Sequence, residues 1–149
     1  ILKIKGKMKL TTKGRYAVMA MADLAANQNN KPVSLTDISL RQNISQSYLE
    51  QLFSKLKKEK LVKSVRGPTG GYILEKNPNE ISLSNIIFAV DEQVKTLNCK
   101  KESKRGCNGK TSKCITHDLW DDLEIHINKF FKKVSLNDVI NKSTGNMSK

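Results

Sequence analysis

The chain has 149 residues, enough for one domain or for a small domain with a helical extension. Its 27 Lys and Arg residues outnumber its 14 Asp and Glu residues, giving a formal net charge of +13. This charge favours a nucleic-acid partner, although a merely soluble basic protein or one drawn to anionic membranes has the same balance. No run reaches the length of a membrane span, and the basic segment 1–7 lacks the apolar region of a signal peptide. We therefore expect a cytoplasmic protein without a membrane segment, with Met8 a candidate start and 1–7 an extension or disordered arm.

Two helices are predicted before residue 45. Thr11 or Thr12 can cap the first, which runs to about Ala26. Ser34 can cap a short second helix that continues through Leu40. The first helix carries an apolar stripe with the i, i+3, i+4, i+7 spacing that indicates a buried face, formed by Ala17, Ala20, Met21 and Leu24.

A third helix, capped by Ser45 and running to about Glu59, has two separable faces. One is an apolar stripe of Leu49, Leu52, Phe53 and Leu56, and the other is a polar stripe of Ser47, Glu50, Gln51 and Ser54. The polar stripe carries no bulky side chain that would hold DNA away from the helix. Ser47, Glu50 and Gln51 lie in the first turns of this helix. A glutamate can accept from cytosine N4 and a glutamine can pair with adenine, so these three are candidate base-reading residues. An ordinary solvated helix face remains the alternative.

A β-hairpin is predicted next, with strands at 61–65 and 72–74 around a turn rich in Gly and Pro. Arg66 begins this turn, where a guanidinium could enter a narrow minor groove, although it could also be a plain surface charge. Two short helices, a recognition-type helix and a hairpin in this order predict a winged helix-turn-helix over 8–80, a mainly α fold. Nearby cations could contact phosphates, namely Lys9, Lys13, Arg15, Lys55, Lys57, Lys58, Lys60 and Lys63.

The C-terminal part, 81–140, is predicted to hold dimerisation helices. Ser82 or Ser84 begins a helix, and residues 93–117 then show no helical or strand period. A long last helix begins near His117, and the tail 141–149 is expected to be disordered. The last helix carries an apolar seam at 3, 4, 3, 4 spacing, a pattern typical of helix pairing, formed by Trp120, Leu123, Ile127, Phe130 and Val134.

Cys99, Cys107 and Cys114 are the chain's three cysteines, and they lie in one basic stretch with His117 three residues beyond the last. Thiolates and an imidazole suit zinc or an iron–sulphur cluster. Surrounding positive charge would also suit a reactive-thiol sensor. An RNA-binding zinc finger is disfavoured because the stretch lacks aromatic residues. No nucleophile–base–acid set or phosphate-binding glycine loop is evident, so we do not expect an enzyme.

Three stretches, Met8–Met21, Ile44–Phe53 and Val65–Tyr72, strongly resemble the IscR family of bacterial iron–sulphur cluster regulators. The likeness runs from Met8 to about Ile140. It includes the four candidate ligands in matching order, although the gaps between the cysteines are longer in this chain.

The resemblance implies that Cys99, Cys107, Cys114 and His117 ligate a 2Fe–2S cluster. It also implies that the recognition-helix residues and Arg66 contact double-stranded DNA at palindromic promoters. A homodimer joined through the last helix would repress or activate genes for cluster assembly and iron metabolism. RNA polymerase would be a partner at the regulated promoters. Alternatives are a thiol-redox, nitric oxide or iron-responsive regulator of the same superfamily, a thiol switch or metal-storage protein, and a zinc-binding nucleic-acid-binding protein.

Overall fold

The computed structural model describes residues 12–90 and 115–145. This part of the chain contains six α-helices, one antiparallel hairpin and a single 3-10 turn, which confirms the predicted winged helix-turn-helix class. The elements in chain order are α1 (Thr12–Asn27), α2 (Leu35–Gln42), α3 (Gln46–Lys58), β1 (Val62–Val65), β2 (Gly71–Leu74), the 3-10 turn (Pro78–Glu80), α4 (Leu83–Ala89), α5 (His117–Lys133) and α6 (Leu136–Gly145).

Serine caps define the starts of α2 and α3, as predicted. The Ser34 side chain accepts from the Asp37 backbone N–H at 3.1 Å, and that of Ser45 accepts from the Tyr48 N–H at 3.3 Å. Between the two helices, Asn43 adopts a left-handed conformation with φ of 54°. Asparagine tolerates that region better than most residues, so it ends α2 and turns the chain directly into α3.

The end of α3 is a Schellman motif. The Leu61 N–H donates to the Leu56 carbonyl at 3.1 Å, and the Lys60 N–H donates to the Lys57 carbonyl at 3.0 Å. Lys60 has φ of 60° in the left-handed position that usually holds glycine. The motif reverses the chain so that β1 runs back along α3.

The hairpin pairs Val62 with Leu74 at one end and Val65 with Gly71 at the other. Val33 extends it, since its N–H and carbonyl bond to Tyr72 at 2.9 and 2.8 Å. A Cβ on Gly71 would lie 2.3 Å from the Val33 carbonyl oxygen, so only glycine permits this close approach. The hairpin is therefore fixed to the segment that leads into α2.

One hydrophobic core joins α1, α2, α3, the hairpin, α4 and the start of α6. The predicted apolar stripes of α1 and α3 are buried, with Phe53 and Met21 among the largest side chains that water does not reach. Leu136 is also buried in this core, so the core continues past the domain boundary expected at residue 80.

A buried carboxylate ties α1 to the end of α2. Asp23 accepts from Arg41 Nη2 at 2.7 Å and Nε at 3.0 Å, and from Gln42 Nε2 at 2.8 Å. The hydrogen bond to Asp23 is the main reason that the pKa of Arg41 is raised above its usual value. A buried charge that is paired and hydrogen-bonded in this way fixes the angle between the two helices.

The C-terminal region differs from prediction in two ways. The expected single helix is interrupted, because α5 ends at Lys133 and α6 begins at Leu136. Residues 141–145, expected to belong to a disordered tail, instead form the end of α6, and the rest of the predicted tail, 146–149, lies outside the described residues. The break has a tertiary cause: the Leu136 N–H donates to the Ile81 carbonyl at 2.8 Å, and the Leu83 N–H donates to the Val134 carbonyl at 3.0 Å.

Ser135 and Asp138 stabilise the start of α6 reciprocally. The Asp138 N–H donates to Ser135 Oγ at 3.1 Å, and the Ser135 N–H donates to Asp138 Oδ2 at 3.0 Å. These hydrogen bonds lower the pKa of Asp138, the backbone one most. The arrangement is a capping box that fixes where α5 joins the body of the protein.

Candidate DNA interface and predicted cluster ligands

The polar face of α3 is exposed, as the sequence indicates. Ser47, Glu50 and Gln51 are solvent-accessible in its first two turns, while Leu49 and Leu52 on the other side are buried. Edge-to-face packing of Tyr48 against Tyr16 of α1, with ring centroids 5.9 Å apart, supports this end of the helix. A rigid helix therefore presents short polar side chains outward, the arrangement that a recognition helix needs.

The hairpin presents Arg66 at its turn. This exposed arginine follows the last residue of β1, and a hydrogen bond of 2.9 Å from the Gly70 N–H to the Gly67 carbonyl closes the turn. Lys57 Nζ of α3 donates to Ser64 Oγ of β1 at 2.8 Å. This hydrogen bond links the exposed surface of α3 to β1, so the wing lies beside α3.

The residues of the apolar seam predicted on the last helix lie in two different environments, some against the core and some exposed. No side chain of α5 is buried in the described part of the chain. Ile127 is half-buried, and Val134, which is the C-cap rather than part of the helix, packs against the core together with Phe131. The exposed apolar residues on α5 include Leu119, Trp120, Leu123 and Phe130.

Leu119 was missed by the sequence prediction, although it is 59% exposed on the same side of α5 as Leu123 and Phe130. The signal was present, because these three residues recur at i, i+4 and i+11, a spacing that keeps them on one face. The outward apolar stripe is therefore Leu119, Leu123 and Phe130, with Trp120 at its edge.

Of the four predicted cluster ligands, only His117 falls within the described residues. It is half-buried at the first position of α5, while Cys99, Cys107 and Cys114 lie outside the described residues. Across 12–90 and 115–145, no group of three or more His, Cys, Asp or Glu side chains could hold a metal ion. Three thiols and an imidazole fit an iron–sulphur cluster or zinc by donor chemistry.

Helices bracket the segment that carries the cysteines. On one side α4 ends at Ala89, and its C-cap residue Val90 is fully buried in the core. On the other side, Thr116 precedes α5, and its hydroxyl accepts from the Trp120 indole N–H at 3.1 Å. Within the described residues, no helix is both long and apolar enough to cross a membrane.

Comparison with known proteins resolves the family. The model of the Rrf2 family, described as an iron-dependent transcriptional regulator, matches residues 10–142. The chain belongs to the Rrf2 family. It is similar to the HTH-type transcriptional regulator IscR of Photorhabdus laumondii, with 52% identity over 134 residues, 90% of this chain and 80% of the relative. IscR of Escherichia coli O1:K1 is also 52% identical and is covered to 81%. The chain is thus a transcriptional regulator of the IscR type.

Solved structures agree with this family. IscR of T. potens has a TM-score of 0.72 at 36% identity, with 92% of this chain and 89% of that chain covered. CymR of B. subtilis, described as the global cysteine regulator, has a TM-score of 0.76 at 30% identity, with 90% and 97% covered. The predicted resemblance and winged-helix fold are confirmed, and a regulator of transcription implies a DNA partner.

Proposed function

We propose that this Rrf2-family chain is a cytoplasmic homodimer that binds palindromic promoter DNA and senses iron–sulphur cluster status. A 2Fe–2S cluster would be held by Cys99, Cys107, Cys114 and His117. Its targets would be genes of cluster assembly and iron metabolism. The protein would repress or activate these genes, with RNA polymerase as a partner at the regulated promoters. The observation that carries the proposal is the exposed polar face of α3, held beside a wing that presents Arg66.

In the proposed complex, the N-terminal turns of α3 enter the major groove. Ser47, Glu50 and Gln51 then reach base edges, where Glu50 can accept from cytosine N4. A carboxylate near phosphates is otherwise repulsive, so Glu50 also acts by rejecting bases that offer it no donor. Arg66 enters the neighbouring minor groove, where the negative potential of A·T-rich sequence favours a guanidinium.

The dimer is proposed to form through the outward stripe of α5. Leu119, Leu123 and Phe130 are large apolar side chains exposed together on one helix, an arrangement that marks an interaction surface. Two copies related by a twofold axis would present two copies of α3 to two half-sites. Palindromic DNA matches that symmetry.

The cluster ligands fit this scheme through their donor chemistry. Three thiolates and one imidazole satisfy the four ligand positions of a 2Fe–2S centre. When bound, the cluster would supply a covalent tie between the segment that follows α4 and the first residue of α5. A reducing cytoplasm keeps the thiols available as ligands.

Coupling to DNA would pass through α4 and α5. Val90, at the end of α4, is buried in the same core as Leu52 of α3, so a shift of α4 also bears on the recognition helix. The tie at His117 would reposition Glu50 relative to the groove and change which bases are tolerated. The change in DNA preference cannot exceed the difference in cluster affinity between the two arrangements.

Anaerobic purification tests the cluster directly. We expect coloured protein with visible absorbance and matching iron and sulphide contents, and we expect Cys107→Ala to abolish the absorbance. His117→Ala should shift the spectrum, whereas His126→Ala, which changes the chain's other histidine, should not. Colourless protein loaded with zinc would contradict the cluster assignment.

A second test addresses the DNA contacts. Glu50→Ala should relax selectivity at one base position and leave general DNA affinity in place, as measured by competition among duplexes that differ at single positions. An equal loss on all sequences would contradict base discrimination by Glu50.

A thiol-redox regulator is the second candidate function. Its support is the fold likeness to CymR, since S. aureus CymR has also been solved in an oxidised form, at a TM-score of 0.70 and 29% identity. This candidate predicts colourless, metal-free protein whose DNA affinity changes on mild oxidation and returns on reduction. The same purification therefore distinguishes the two candidates.

A further inference from the structure

The first turns of α2 and α3 are joined by a side-chain hydrogen bond. Thr36, the second residue of α2, donates from Oγ1 to Gln46 Oε1 at 3.2 Å, and Gln46 is the first residue of α3. Both side chains are exposed and ten residues apart in sequence. The bond therefore restrains a surface glutamine at the start of the proposed recognition helix.

Gln46 lies beside the residues already proposed to read DNA. It precedes Glu50 by four positions, so the two side chains are neighbours on one side of α3. Side chains lean toward the N-terminus of their helix, and the amide of a first residue therefore projects past the helix end. That is the end proposed to enter the groove.

The hydrogen bond determines which end of the amide faces outward. A glutamine side chain has one acceptor oxygen and an NH₂ group with two donors. With Oε1 engaged by Thr36, the NH₂ group is directed to an outside acceptor. Bidentate pairing with adenine would require Oε1 to accept a second hydrogen bond through its other lone pair, so contact through the NH₂ group alone is favoured at this position.

We propose that Gln46 is a further DNA-contacting residue and that Thr36 is its positioning residue. This rests on the proposed DNA interface of α3. The ligand is an acceptor atom of duplex DNA. It is either a phosphate oxygen or a major-groove acceptor such as guanine O6, purine N7 or thymine O4.

The test uses two isosteric changes in the full chain. Gln46→Met keeps the length of the side chain and helix propensity but removes the donors. Thr36→Val keeps the shape and removes the hydroxyl. Affinity is measured by fluorescence anisotropy at several salt concentrations, on a palindrome selected from a random pool and on its scrambled sequence. Thermal midpoints check folding, and Gln46→Ala provides a second donor-free variant.

Gln46→Met should weaken binding about 2- to 10-fold, the value of one hydrogen bond. The slope of affinity against salt should stay unchanged, because no charge is lost. A loss confined to the palindrome identifies a base acceptor, and an equal loss on both duplexes identifies a phosphate oxygen. Thr36→Val should weaken binding less and should have no further effect when Gln46 is already methionine.

Unchanged affinity of Gln46→Met and Gln46→Ala on both duplexes would overturn the proposed contact. A Thr36→Val loss of the same size with and without Gln46 would overturn the positioning role, because the two residues would then act independently. Failure of the proposed function looks different, since the unsubstituted protein would itself not distinguish the palindrome from its scrambled sequence.

Discussion

Helices α3 and α5 are both amphipathic, with 13 and 17 residues, yet they use their apolar faces differently. α3 buries Leu49, Leu52, Phe53 and Leu56 in the core, and each is at most 1% exposed. α5 buries no residue and leaves Phe130 56% exposed. The apolar face of α3 is fully covered within one copy of the chain. In the proposed dimer, the apolar stripe on α5 is covered by a second copy.

The difference shows what an apolar period can and cannot indicate. Periodicity identifies which residues share a face, because the helix repeat is fixed. It does not indicate what covers that face, since cores and interfaces both select apolar side chains. Each prediction below tests whether the two helices differ in this way.

The largest effect is expected from paired phenylalanine truncations. Phe53→Ala should lower the free energy of unfolding by about 3–5 kcal/mol, because it empties a core site. Phe130→Ala should cost under about 1 kcal/mol in a monomeric background, since the side chain is already largely in water. Urea unfolding measures both values, and equal losses would contradict the contrast between α3 and α5.

Dimerisation provides the next test. Leu123→Asp should weaken the dimer by about 2 kcal/mol or more, because it introduces a charge into the outward stripe. Ile125→Asp is the matched control, as Ile125 is similarly exposed, 44% against 38%, but lies on another face of α5. Sedimentation velocity at several concentrations should show monomers only for Leu123→Asp. Dimers that persist in Leu123→Asp, or are lost equally in both, would refute the interface.

The turn after α3 should gain stability from glycine. The backbone at Lys60 is left-handed, a conformation that a Cβ atom disfavours, and Lys60→Gly removes this steric cost while keeping the conformation. We expect about 0.5–1 kcal/mol of added stability after the entropic cost of glycine. Thermal unfolding measures the gain, and Lys60→Ala is the control that removes the charge without relieving the backbone. Equal effects of the two variants would contradict the backbone explanation.

The smallest effect concerns the junction of α5 with the core. The pKa of Asp138 is lowered in the folded state by its hydrogen bonds to Ser135. Its contribution to stability is therefore present above the unfolded pKa of about 4 and is lost as the pH falls through the lower folded value. Compared with Asp138→Asn, the unsubstituted protein should lose a small advantage on acidification. An advantage that grows toward low pH would contradict the assigned hydrogen bonds.

Local signals in the sequence were sufficient for much of the fold. Ser34 and Ser45 cap helices as predicted, because a cap depends on atoms within three residues. The break at Ser135 was not predictable in this way, since it depends on Leu136 bonding to Ile81, a residue distant in sequence. Long-range backbone pairing of this kind leaves no periodic signal.

The candidate site also combines features that depend on one helix alone with features that depend on contacts between elements. The exposure of Glu50 and Gln51 followed from the helix period, whereas the bond between Thr36 and Gln46 joins two helices and could not be predicted from either alone. The division of the α5 seam also depended on tertiary contacts, because only the fold places Phe131 against the core. The roles of the three cysteines remain a prediction from donor chemistry.

The most direct measurement compares the DNA preferences of two forms of the protein. One form is the unsubstituted chain reconstituted anaerobically with iron and sulphide, and the other is Cys107→Ala treated identically. Each form is used to select duplexes from a randomised pool, and the selected duplexes are sequenced. We predict that both forms select palindromes and that the preferred bases differ between them. Identical preferences would contradict a cluster that tunes promoter choice, and the absence of any preferred duplex would contradict sequence-specific binding through α3.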